Sequence, residues 1–404
     1  MKLLHTSDWH LGKSLEKRTR YAEFSAFLDW LEDTIKTQNI DTLLVSGDIF
    51  DTATPGSQAQ TLYYQFLVKV ARHNCRNIII TAGNHDSPSF LNAPRELLLT
   101  LNITVIGSIS DNINDEIIII RDDQNNIEAV ICAVPYLRDK DVRVVSPGES
   151  YEDKAINLTS GITKHYADIT AAAQQIAGDN IPIIAMGHLF TSGGKTLEKD
   201  GVRDLYVGSL AHLKADAFPE RLNYVALGHL HVPQRVKKKD HIRYCGSPIP
   251  MGFGEAAQTK QVVIVEFNGC TPVITPVDIP CFQQLENIKG SMQDILKQIE
   301  VLKQKESSAW LKIEYTGKET MTELSGLITD AVNDTGMEIR LIKNRQMSDK
   351  IISSIKIDEA LESLDATDVF TRCLDAYEVP ESERSELTSA YNEIITLLDE
   401  EEAS

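Results

Sequence analysis

Short, densely apolar runs recur along the first 280 or so residues: KLLHTS, TLLVSG, NIIITAG, AVICAVP, PIIAMG, NYVALG and QVVIVEF. They are rich in Val, Ile and Leu and too apolar to keep one wet face, so they predict strands buried on both sides, as in a largely parallel sheet. A different period lies between the first two runs. In YAEFSAFLDWLEDTIKTQ the residues Phe24, Phe27, Leu28, Leu31 and Ile35 follow helical spacing, and Leu62, Phe66 and Val70 form a second such stripe on a helix starting near Ser57. Strands alternating with helices predict a layered α/β domain over residues 1–281.

The texture changes from about residue 282. MQDILKQIEVLKQK and MTELSGLITDAV carry the helical period, while AWLKIEY and MEIRLIK have the character of strands, which predicts a small α/β domain over 282–347. Strands then vanish. Residues 348–404 predict a helical pair, ATDVFTRCLDAY and SERSELTSAYNEIITLL, divided at Val379-Pro380 because proline stops the first helix and suits the start of the second. Phe370, Leu374 and Tyr377 line one helix, and Leu387, Tyr391, Ile394 and Leu398 line the other. These stripes can either close on each other or dock on a partner.

Composition narrows the class. At 404 residues, with 42% hydrophobic and 25% charged residues, the chain reads as an ordinary globular protein with room for two or three domains. No apolar run of about 18 residues and no signal-peptide series is found, so the expectation is a cytoplasmic protein with no membrane association. The six cysteines, Cys75, Cys132, Cys245, Cys270, Cys281 and Cys373, are scattered and read as reduced thiols. A net charge of −19 argues against coating nucleic acid by general electrostatics. It leaves room for a nucleic-acid enzyme whose field is reversed locally by a basic patch, bound cations or a positive partner. The densest basic cluster, Arg235, Lys237, Lys238, Lys239 and Arg243, reads as either a solvated hairpin tip or a phosphate-backbone contact.

The chemistry concentrates where the strands end, the place at which functional groups gather in open α/β sheets. In chain order those ends read SDWH (Asp8, His10), SGDIFD (Asp48, Asp51), AGNHD (Asn84, His85, Asp86), MGHLF (His188) and LGHLH (His229, His231), and glycine directly precedes the polar group at four of the five. One D-x-H or one G-H is common turn chemistry; five successive ends are not. Asp8, His10, Asp48, Asn84, His188, His229 and His231 supply the mixture of carboxylate oxygen, amide oxygen and imidazole nitrogen that a pair of divalent ions such as Mn²⁺ accepts. Glycine would let the backbone turn sharply out of each strand. In an extended D-x-H or H-x-H segment alternation puts both members on one face, with Trp9 turned away. His5, inside the first strand, reads as a structural group and Asp51 as an anchor behind the site; His73, His165, His212 and His241 lie in no motif.

The set D-x-H, G-D-x-x-D, G-N-H-D, G-H and G-H-x-H resembles the signature of the calcineurin-like metallophosphoesterases. The fuller strings LHTSDWHLG, GDIFD, AGNHDS and YCGSPIP, with the late helical tail, are most similar to those bacterial nuclease subunits of the superfamily that work with an SbcC-type ATPase. The resemblance implies a layered metallophosphoesterase sandwich with a smaller α/β capping domain and a C-terminal helical pair. It implies two Mn²⁺ ions, one held by Asp8, His10 and His231, the other by Asn84, His188 and His229, with Asp48 bridging. His85 would be the general acid or a transition-state contact, and Asp86 would orient its ring. As activity it implies an ATP-dependent 3′-to-5′ exonuclease on duplex DNA ends and an endonuclease on single strands and hairpins. As assembly it implies a homodimer within a heterotetramer, docked on the ATPase through the C-terminal helices. Phosphoester chemistry rests on the residues themselves, and DNA as substrate rests on the resemblance. A small-molecule phosphodiesterase with the same dinuclear centre and a non-catalytic DNA-end scaffold stay open as alternatives.

Overall fold

Leu3 and Leu4 are neighbours in the chain and belong to two different cores, because strand β1 (Lys2–Thr6) is covered on both faces. The computed structural model describes residues 1–73, 75–143, 149–191, 213, 215–317 and 321–344, together with 370, 371, 374, 379, 384, 385 and 387–391. The chain divides into two units, Met1–Leu285 and Glu286–Ser404.

In the first unit β1 is followed by a two-residue-strand hairpin, β2 (Ser14–Leu15) and β3 (Arg18–Thr19), and then by β4 (Thr42–Ser46), β5 (Asn77–Thr81), β6 (Ile103–Ile106), β7 (Ile117–Arg121) and β8 (Ile127–Ala133). Next come β9 (Ile183–His188), β10 (Tyr224–Gly228), β11 (Gln234–Val236), β12 (Lys239–Tyr244), β13 (Gln261–Asn268) and β14 (Thr271–Asp278). Two six-stranded sheets result. One has the order β14-β13-β1-β4-β5-β6, the other β11-β12-β10-β9-β8-β7. The strands from β1 to β6 in the first sheet run parallel, as do β12, β10, β9 and β8 in the second, and antiparallel strands close the remaining edges.

All seven apolar runs form strands, and two-sided burial is the reason. Leu3, Leu44 and Ile79 meet Ile131, Ile184, Met186 and Ala226 between the sheets. On the outer face of the first sheet Leu4, Leu43, Val45 and Ile78 pack against Phe24, Phe27, Leu31, Phe66 and Val70 of helices Tyr21–Thr37 and Ser57–Ala71. On the outer face of the second, Val130, Ile183, Val225 and Leu227 pack with Tyr166, Ile169 and Ala173 of helix Tyr151–Ala177. The result is a helix–sheet–sheet–helix sandwich. Each fully buried aliphatic side chain contributes about 1.5–3 kcal/mol.

β14 carries Pro272 and Pro276, opposite Phe267 and Val263, and is the outermost strand of its sheet. A proline has no N–H to donate to a ladder, so the edge is where such a strand fits. The basic cluster Arg235 to Arg243 is the β11–β12 hairpin, with Lys237 and Lys238 at its turn in left-handed backbone, φ 46° and 62°. Arg235 pairs with Asp240 at 2.7 Å and Lys239 with Asp216 at 3.5 Å. Of the histidines outside the strand-end motifs, His73 meets Glu32 at 2.8 Å and His165 meets Glu116 at 2.9 Å, so both are structural. His241 is half-buried on β12, and His212 lies outside the described residues. Among the described residues the cysteines are all free thiols, and no helix is long and apolar enough to cross a membrane.

In the second unit β15 (Leu285–Gly290), β16 (Trp310–Tyr315) and β17 (Glu338–Asn344) form a sheet in that order, with β16 and β17 parallel. Helix Met292–Gln304 begins at a capping box, in which Ser291 and Asp294 satisfy each other's backbone N–H groups. Ile295 and Ile299 from this helix, with Leu324 and Ile328 from helix Met321–Val332, cover Leu311 and Ile313. The C-terminal helical pair falls largely outside the described residues. Within them, Phe370 and Tyr391 stack with ring centres 4.0 Å apart.

Two outcomes are expected. Leu311 is fully buried, so Leu311→Ala should cost about 2–5 kcal/mol. Calorimetry should show the transition of the second unit moving down while that of the first unit stays in place. His5 is buried with Nδ1 3.0 Å from Tyr224 Oη, and burial pushes its pKa down to about 3. A histidine depressed below its unfolded value favours the neutral form, so its contribution is complete above about pH 6.5 and is lost as pH falls from there toward about 3. Melting temperatures measured in EDTA between about pH 7.5 and about pH 5 should fall less steeply for His5→Gln than for the wild type.

Candidate metal centre

The strand ends of both sheets bring the motif residues together. Asp8 and His10 follow β1, Asp48 follows β4, and Asn84, His85 and Asp86 follow β5, all in the first sheet; His188 ends β9, and His229 and His231 follow β10, in the second. Asp8, His10 and His231 form one buried group and Asp48, His188 and His229 another, the donor atoms in each lying within 4.8 Å of one another. Asn84 joins the second group: its Oδ1 is 3.1 Å from His188 Nε2 and 3.0 Å from His229 Nδ1. Asp48 Oδ2 stands between the groups, 3.5 Å from His10 Nε2 and 3.3 Å from His188 Nε2. The seven candidate ligands therefore converge in one place.

The backbone reaches this arrangement differently from the expected extended alternation. Asp8 and His10 sit in left-handed backbone, φ 53° and 47°, as do Asp48 at 50° and His229 at 101°. Such conformations are unusual outside glycine and are held by their surroundings. Here the loops brace one another: Asp8 N–H donates to Gly47 O and His10 N–H to Asp48 O, both at 3.0 Å, and His229 N–H donates to Asp8 Oδ1 at 2.9 Å. Gly47 turns in left-handed backbone, φ 83°, as expected of a glycine before a ligand, and the other glycines act by making room. A Cβ on Gly228 would stand 1.9 Å from Ser46 O, and one on Gly83 would stand 2.1 Å from Asp48 Oδ1. Trp9 does turn away, donating Nε1–H to Thr6 Oγ1 and packing edge-on against Phe27 and Phe66.

The donor set fits divalent cations. His10 Nε2 and His231 Nε2 point at each other across 3.2 Å, and two imidazoles aim at one amide oxygen. The carboxylates of Asp8 and Asp48 are buried among them. Burial pushes the pKa of His10 down and that of His229 to about 3, which keeps these rings neutral as ligation requires. Burial opposes ionisation of Asp48, yet His188 and His10 beside it hold its carboxyl well below the usual range. Burial likewise works against charge on His188, but Asp48 outweighs it and raises that pKa to about 9.

His85 lies against the site, its ring centre 4.8 Å from that of His10. Its Nδ1 is 2.7 Å from the carbonyl oxygen of Asp51, so Nδ1 carries the hydrogen and Nε2 is the ring's other working atom. The expectation that Asp86 orients this ring is overturned. The Asp86 carboxylate accepts from the backbone N–H groups of Ile49, Phe50 and Gly83 at 3.1, 3.0 and 2.9 Å, which uses it to tie two ligand loops together. The backbone of Asp51 takes the orienting part. The Asp51 side chain lies 3.4 Å from His10 Nδ1 and accepts from Lys13, the anchor role expected for it.

One group behind the site escaped the motif reading. Glu255, fully buried, lies with Oε1 3.3 Å from His231 Nδ1 and pairs with buried Lys260. The available signal was a single acidic residue in an otherwise uncharged stretch, CGSPIPMGFGEAA.

Known proteins share this pattern. The sequence pattern of the calcineurin-like phosphoesterases matches residues 1–233, and that of the type 5 capsule protein repressor C-terminal domain matches residues 281–378. The SbcD chain of the nuclease SbcCD from Escherichia coli K12 is 36% identical over 409 residues, covering 100% of both chains. Proteins of the same name from Rhodobacter capsulatus and Bacillus subtilis are 36% identical over 288 residues and 33% identical over 270, covering 69% and 66% of this chain and 70% and 66% of theirs. The ligand-bearing strand ends lie within the first matched region, and the three-stranded sheet β15–β17 lies within the second. The chain thus belongs to the calcineurin-like phosphoesterases, and within them to the SbcD family of nuclease subunits.

Proposed function

We propose that this chain is the catalytic subunit of a cytoplasmic DNA end-processing nuclease that hydrolyses phosphodiesters at two Mn²⁺ ions. The observation that carries the reading is the meeting of two ligand groups at Asp48, in a chain related over its full length to a nuclease subunit. Asp8, His10 and His231 would hold one ion, Asn84, His188 and His229 the other, and Asp48 would bridge. When bound, the pair supplies positive charge and Lewis acidity at the phosphorus under attack. The protein's own part is positional. Left-handed loops fix the ligands before substrate arrives, burial favours the neutral form of His10 and His229, and His85, with Nδ1 committed to a carbonyl, holds a proton at Nε2 for the leaving oxygen.

On this reading residues 1–281 are the nuclease domain and carry the chemistry, 282–347 are the small α/β capping domain, and the helices of 348–404 dock an SbcC-type ATPase. Two copies of each subunit form the working heterotetramer. Duplex ends are degraded 3′ to 5′, while single strands and hairpins are cut internally, under control of ATP. The basic hairpin Arg235 to Arg243, with Lys237 and Lys238 at its turn, would contact the phosphate backbone.

Two experiments test this. His85→Leu should lower turnover by about 10²–10⁴-fold while still binding two Mn²⁺ per chain by calorimetry, whereas Asp48→Ala should lose both ions and all activity. With an end-labelled hairpin duplex, the wild type with Mn²⁺, the ATPase and ATP should open the hairpin and shorten the ends, and chelation should stop it until Mn²⁺ is restored. Hydrolysis of a minimal aryl phosphodiester with no cleavage of DNA would instead mark a small-molecule phosphodiesterase. Unchanged end processing by Asp48→Ala would mark a scaffold.

A further inference from the structure

A fully buried glutamate needs a reason, because an ionised carboxylate taken out of water is costly unless charged or hydrogen-bonding partners meet it. Glu255 is 0% exposed and Lys260, its ion-pair partner, is 4% exposed. The segment between Ser247 and Lys260 is folded around this pair. Glu255 Oε2 accepts from Met251 N–H at 3.1 Å and from Ser247 Oγ at 3.3 Å. Lys260 Nζ lies 3.1 Å from His231 O, 3.0 Å from Ser247 Oγ and 3.0 Å from Gln258 Oε1. Oε2 therefore serves the loop and the lysine. The other oxygen, Oε1, faces His231 Nδ1 at 3.3 Å.

That contact fixes which nitrogen of His231 looks into the site. A carboxylate only accepts, so Nδ1 carries a hydrogen and Nε2 is the ring atom turned into the site, 3.2 Å from His10 Nε2. The other histidine of the same group, His10, also has a carboxylate beside its Nδ1, that of Asp51 at 3.4 Å. In the second group His188 Nδ1 instead donates to a backbone carbonyl, Ser46 O, at 3.0 Å. The two candidate ion sites thus differ in what stands behind their ligands.

We propose that Glu255, locked by Lys260, is a positioning residue for His231, and that ion binding at Asp8, His10 and His231 depends selectively on it. This rests on the dinuclear reading above and adds a residue to it. An outer carboxylate that fixes an imidazole and raises its basicity is typically worth about 10- to 100-fold in metal affinity. The selectivity follows from placement, since Glu255 reaches one group and its contacts do not extend to Asn84, His188 or His229.

The test is Mn²⁺ calorimetry on the full chain, with electron paramagnetic resonance of the loaded protein, for wild type, Glu255→Gln and Glu255→Asp. Gln keeps the size and loses the charge; Asp keeps the charge for Lys260 and loses the reach to His231. Both variants should keep one site at wild-type affinity and weaken the other about 10- to 100-fold, and the signal of a coupled Mn²⁺ pair should give way to that of an isolated ion. If the wild type takes up two ions and both folded variants do so with unchanged affinities, the inference about Glu255 fails alone. If the wild type itself does not bind two ions, the dinuclear reading fails first. Should the variants not fold, nitrogen-15 resonances of His231 in the wild type loaded with Zn²⁺ decide the matter. A protected Nδ1–H supports the proposal, and a hydrogen on Nε2 overturns it.

Discussion

Imidazole nitrogens, an amide oxygen and carboxylates taken out of water are packed against one another at the centre of the first unit. His10 Nε2 faces His231 Nε2, Asn84 Oδ1 is approached by two imidazoles, and two carboxylates are buried alongside. Desolvating such a set costs free energy. Two extended sheets, each covered on both faces by aliphatic and aromatic side chains, offset that cost. Cations that reward this crowding bind the folded chain far better than the unfolded one, so metal and fold stabilise each other.

Convergence depends on bracing between the sheets, because neither sheet holds all seven ligands. Ser46, at the end of β4, donates Oγ–H to Ala226 O in β10 and offers its own carbonyl to His188 Nδ1. Asp8 accepts from the N–H of His229 across the same gap. Asp86 gathers the amides of Ile49, Phe50 and Gly83. These braces tie the ligand loops to one another and to the strand ends, which is what a site assembled from distant parts of the chain needs to stay in place.

Much of this was legible in the sequence, for reasons that also explain the omissions. Strands buried on both faces spell themselves out in Val, Ile and Leu, so the central seven were readable, as were the helices whose apolar stripes face those strands. β14 was hidden by Pro272 and Pro276, which only an edge position tolerates. Helix Tyr151–Ala177 was hidden by its threonines and a glycine, which weaken propensity while burial sustains the helix. The ligands were readable because their residue types are rare at successive strand ends. Their backbone was not: left-handed Asp8 and His10 are imposed by neighbouring loops, and no local pattern announces them. The role of Asp86 turned on which of two acceptors, its carboxylate or the Asp51 carbonyl, lies nearer the His85 ring, a matter only tertiary structure decides.

The outer strands carry a consequence for life in a crowded solution. A sheet border with its amides and carbonyls unpaired is a template on which another polypeptide can extend the sheet. β14 presents Pro272 and Pro276, each lacking an amide hydrogen, and β11 is only three residues long with a register break between Arg235 and Val236. One border of each sheet is thereby a poor seed for aggregation, through features that owe nothing to catalysis.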